Sequence, residues 1–222
     1  MNVPAIYQSL QEFALFQDGR VIGFTLLCAF LLLWLDRARY LLPLWLGITT
    51  GFSIFVSLIL PPYIALVVIV VGVFSTLMLY LMARNRRTHA PQARTMIAWA
   101  TLLFQILLVL FLLLISWGAV YQADLVWIGE SADATFLVIG LFILGGFRFF
   151  TTQDPLLLGM GILLVITAVG TWQVETLQRP LALAIWSILV LLTVLLTNYL
   201  VQANDRIATF EQTQLEEGTS TV

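Results

Sequence analysis

Long apolar runs alternate with short polar breaks along this chain, and the breaks divide it into seven segments. A helix rises ~1.5 Å per residue and needs about 20 residues to cross ~30 Å of hydrocarbon. The runs therefore predict transmembrane helices at about 21–35, 40–60, 63–83, 96–120, 135–150, 156–174 and 180–201. The first is short but extendable by a turn at either end, with Asp18 and Arg20 before it and Asp36, Arg37 and Arg39 after it. Pro61-Pro62 stops the second helix and forces a tight reversal. Asp154-Pro155 reads as an N-cap with proline at the first helical position of the sixth. In residues 5–16, Ile6, Leu10, Phe13 and Ala14 fall at helical spacing. That pattern suits a helix lying on the membrane surface, and a loosely ordered terminus suits it as well.

Composition agrees with the pattern. Apolar residues make up 61%, charged residues 10%, and the mean hydropathy is +1.01. Those values lie outside the range of soluble domains, so the fold class is an all-α polytopic membrane protein with seven transmembrane helices. Residues 1–20 form an external N-terminal segment, 21–201 the membrane domain, and 202–222 an acidic cytoplasmic tail whose helix frays beyond Glu217. Met1 to Phe16 has no basic residue and carries Glu12, unlike a cleaved signal. The net charge of −2 makes no case for nucleic-acid binding. A single cysteine, Cys28, excludes a disulfide framework and a thiolate metal site.

Charge sets the orientation. The chain has no lysine, and four of its ten basic residues, Arg84, Arg86, Arg87 and Arg94, lie in the loop 84–94. Basic loops stay on the cytoplasmic side, which puts the N-terminus outside and the C-terminus inside. The inner flanks then also hold Arg37, Arg39, Arg148 and Arg206, leaving only Arg20 and Arg179 outside. The expected location is the plasma or inner membrane, with the lipid bilayer as immediate partner. Trp34, Tyr40, Tyr63, Tyr80, Trp99, Trp117, Tyr121, Trp172 and Tyr199 fall near span boundaries, as an interfacial belt requires.

Candidate chemistry is sparse. Between their boundary turns the spans contain no Asp, Glu, Lys, Arg or His, the groups that mark ion paths and proton relays. A Schiff-base lysine for retinal is excluded. His89 reads as a solvated loop residue, with no second histidine to make a metal site. Gln105 is the most conspicuous polar side chain in a span and reads as helix–helix glue, worth ~0.6–2 kcal/mol; the alternative is a substrate or ion contact. Asn198 lies where water reaches the last span. Gly47 and Gly51 form a small-xxx-small pattern that admits another helix, from this chain or a partner. Gly140, Gly145, Gly146, Gly159 and Gly161 suggest a tight hairpin of the fifth and sixth helices. Arg148 is either a functional cation or a snorkelling flank residue, with a local ion pair to Asp154 as the plain reading. No nucleophile–base pair, phosphate loop or paired carboxylate occurs, so an enzyme is not expected and no catalytic, cofactor-binding or metal residue is assigned.

Several stretches carry a family likeness. Arg39-Tyr40 opens the second span, Met82-Ala83-Arg84-Asn85 closes the third, and residues 136–145, the turn Thr151-Thr152-Gln153-Asp154 and Gly161 follow in order. In these the chain resembles the E-type membrane subunit of hydrogenase-4-like complexes, a relative of the J- and K-type subunits of respiratory complex I. The likeness spans all seven segments in order and length. It implies a membrane subunit with other membrane subunits as partners. K-type subunits carry a proton-relaying glutamate in the helix after that turn; its counterpart here falls near Ile166, and the following helix, 180–201, has no carboxylate. The resemblance therefore implies a non-catalytic scaffold that lacks the relay. Two alternatives stand beside it: a transporter or lipid-handling protein with an uncharged cavity around Gln105, Thr167 and Thr171, and an anchor or sensor acting through its tail.

The topology makes a direct prediction. In a Cys28→Ser background, His89→Cys and Glu130→Cys should react with an impermeant thiol reagent from opposite sides of the membrane. Labelling of both from one side breaks the seven-span arrangement.

Overall fold

A computed structural model describes residues 19–35, 38–85, 96–122, 131–152 and 154–219. The expected surface helix at 5–16, Asp36 and Arg37, most of the 84–94 loop with His89, and most of the 122–134 loop with Glu130 lie outside the described residues. Seven helices are described: α1 Arg20–Trp34, α2 Ala38–Ile59, α3 Pro62–Asn85, α4 Met96–Tyr121, α5 Ala132–Thr151, α6 Pro155–Leu177 and α7 Pro180–Thr219. Six of them, α2 to α7, are long and apolar enough to cross a membrane, and α1 is shorter at 15 residues. The protein is a multi-pass helical membrane protein.

Local sequence explains the helix ends. Ser131 caps α5 by accepting from the Ala134 N–H at 3.2 Å, and Asp154 caps α6 by accepting from the Leu156 N–H at 3.0 Å, with Pro155 following. Both bonds satisfy first-turn donors that have no partner inside the helix. The α6 helix runs three residues past the expected end, to Leu177, where Gln178 turns left-handed at φ 48° and its N–H reaches the Val174 carbonyl at 3.0 Å. The α7 helix continues without a break through the predicted tail to Thr219.

The helices stack as two layers of three. In one, α2 lies between α1 and α3; in the other, α6 lies between α5 and α7. Across the layers α1 meets α5, α2 meets α6 and α3 meets α7. The α4 helix joins the layers and stands outside them, with α5 as its main neighbour. Burial follows this plan: 61% of the α6 span is buried, against 17% of α4.

Because lipid tails are as apolar as leucine, apolar burial does little to join helices in a bilayer, and close packing must do it. One device recurs. Gly51 of α2 faces Thr25 of α1, Gly72 of α3 faces Thr49 of α2, and Gly159 of α6 faces Thr197 of α7, each so closely that a Cβ on the glycine would collide with the threonine hydroxyl. Each hydroxyl is already satisfied within its own helix, by Val21 O at 2.7 Å, Leu46 O at 3.0 Å and Thr193 O at 2.8 Å. The threonine then presents a compact face with no unmet donor. Gly47, the other half of the small-xxx-small pattern, lies against Cys28 of α1, so that pattern serves contact within the chain. Two hydrogen bonds add to α2–α3 packing: Trp45 Nε1–H to Ser75 Oγ and Ser53 Oγ–H to Ala65 O, each at 2.9 Å.

The glycines expected to line the α5–α6 hairpin divide three ways. Gly145 and Gly161 do meet, and a Cβ on Gly145 would lie 2.7 Å from the Gly161 carbonyl oxygen. Gly140 instead faces Leu26 of α1, and Gly159 faces α7. Nothing approaches the Cβ position of Gly146 within 4 Å. Helical rotation of 100° per residue separates the two neighbours, 145 and 146, onto different faces.

Adjacent glycines should therefore respond oppositely to one methyl group. Gly145→Ala must push against backbone and should cost about 1–3 kcal/mol. Gly146→Ala meets open space and should be neutral or stabilise by up to ~1 kcal/mol through helix propensity. Unfolding of the two purified variants in mixed detergent micelles measures the difference, and equal stabilities would contradict this packing.

Candidate functional site

Arg148 lies in the last turn of α5 and is only 7% exposed. Its Nη1–H donates to the Leu33 carbonyl of α1 at 2.5 Å. Leu33 belongs to the final turn of α1, where carbonyls lack helical partners and the helix dipole is negative. A guanidinium from another helix thus caps α1, and Trp34 beside it packs on Phe147 of α5 at 6.3 Å. Asp154, read from the sequence as the ion-pair partner of Arg148, also caps α6. Both charges serve helix ends.

Gln105 sits on the outlying α4, half-buried, and among the described residues no hydrogen bond reaches its amide. The glue reading therefore has no acceptor or donor within the described chain. The same helix exposes Leu103, Phe104, Leu107, Leu110, Phe111 and Leu114. Its buried side chains there, among the described residues, are Val109, Ser116 and Val120. At the other end, Tyr121 donates its phenol to Asp133 Oδ1 and stacks edge-on against Phe136, holding α4 to α5.

The α6 helix carries a buried polar stripe. Thr167 and Thr171 have no exposed surface, and their hydroxyls donate to Leu163 O and Thr167 O, both at 2.8 Å. One turn further along the same face is Glu175, 9% exposed. Gly170, on the neighbouring face, takes the edge of Trp186 of α7, whose ring lies 5.0 Å from that of Phe52 in α2. Ile166 is a partly buried packing residue. Gln105 does not join this group, since the main contact of α4 is with α5.

The remaining candidates are structural. Cys28 is buried against Gly47. Asn198 accepts from Gln202 Nε2 at 3.2 Å on an exposed face. An apolar crevice between α2, α3 and α6, lined by Leu41, Leu42, Leu79, Ala83, Leu156 and Met160, is too tight for a water molecule. Among the described residues no group of three His, Cys, Asp or Glu side chains could hold a metal. Seven of the predicted belt aromatics, Tyr40, Tyr63, Tyr80, Trp117, Tyr121, Trp172 and Tyr199, are exposed, whereas Trp34 turns inward.

Sequence reasoning missed Glu175 by placing it in the link between the last two helices. The spacing Thr167, Thr171, Glu175 was the available signal: three polar residues four apart stay on one helical face. The chain matches no protein-family model, no curated protein and no solved structure.

Arg148 offers a test of the cap. Arg148→Leu removes a charge-assisted hydrogen bond and strands a carbonyl, which should cost about 1.5–3 kcal/mol, and Arg148→Lys should recover part of it. Micellar unfolding measures both, and an Arg148→Leu protein as stable as the parent would remove the cap from the account.

Proposed function

We propose that this protein is a non-catalytic subunit of a larger energy-converting membrane assembly of the hydrogenase or complex I-like kind. It crosses the plasma or inner membrane seven times, with its N-terminus outside and the tail of α7 in the cytoplasm. The observation that carries the reading is α4. A long apolar helix stands outside both layers, 17% buried, with a half-buried amide at Gln105 that no group in the described chain satisfies. An unpaired amide in hydrocarbon is costly, and a transmembrane helix of another subunit can supply its partner. Ile166, at the place of a relay acid, supports a scaffold that moves no protons of its own.

Two measurements test this. Extracted from its native membrane in mild detergent, the protein should run as a complex of fixed composition with other multi-pass subunits, and Gln105→Leu should weaken that complex. A monomer indifferent to Gln105→Leu overturns the reading. Reconstituted alone in liposomes under an imposed potential, it should give no more dye-reported proton or sodium flux than empty vesicles; robust flux would make it a transporter.

A further inference from the structure

We draw no further inference here: the strongest candidate, the buried side-chain atoms Trp186 Nε1 of α7 and Gln173 Oε1 of α6, which have no hydrogen-bond partner among the described residues, carries nothing because Trp186 closes directly on Gly170 there and nothing in the structure shows room for a ligand.

Discussion

Close approach of helix backbones is the constraint on which this structure depends. In a bilayer the gain from hiding an apolar side chain between helices is small, because lipid would have covered it anyway. What remains is dispersion, which falls away within an ångström of optimal contact. The glycines at positions 51, 72, 145 and 159 let four helix pairs come that close. Threonine suits three of those contacts because it bonds back to its own helix and leaves no polar demand on the neighbour. The two-layer arrangement is the sum of these local fits, supplemented by hydrogen bonds between helices such as Trp45–Ser75 and Ser53–Ala65.

Much of this was legible in the sequence, for a physical reason. Hydrocarbon thickness demands long uninterrupted apolar helices, so the boundaries at Pro62, Asp154 and Pro180 could be located within a few residues. Neighbour identity was less legible. Gly140, Gly145 and Gly146 look equivalent along the chain, yet they face α1, α6 and open space, because facing depends on how three helices rotate against one another. The same limit applied to the Arg148 contact with Leu33, which joins residues 115 apart, and to Gln105, which only a folded bundle shows to have no hydrogen-bond partner among the described residues. Glu175 was hidden by a boundary: three more residues of helix turned a linker charge into a buried one.

The polar residues sort by what surrounds them. Arg148 and Asp154 are charges placed where helix ends require them, so they lower the energy of the bundle. Gln105 raises it as it stands, half-buried on the outermost helix with no hydrogen bond among the described residues. A structure tolerates such costs where something outside it offsets them. That distinction sets Gln105 apart from the polar residues that cap helix ends.

The layered order also dictates a sequence of events at the ribosome. Contacts within the α1–α2–α3 layer join helices adjacent in the chain, so they can form as each hairpin leaves the translocon. The second layer begins only after α4 has passed, and α5 and α6 then find α1 and α2 already in place. One flank of α3 stays bare until α7 arrives to cover it. The nascent protein therefore completes this framework only once α7 has emerged, and a chain interrupted before Pro180 would sit in the membrane with that flank still facing lipid.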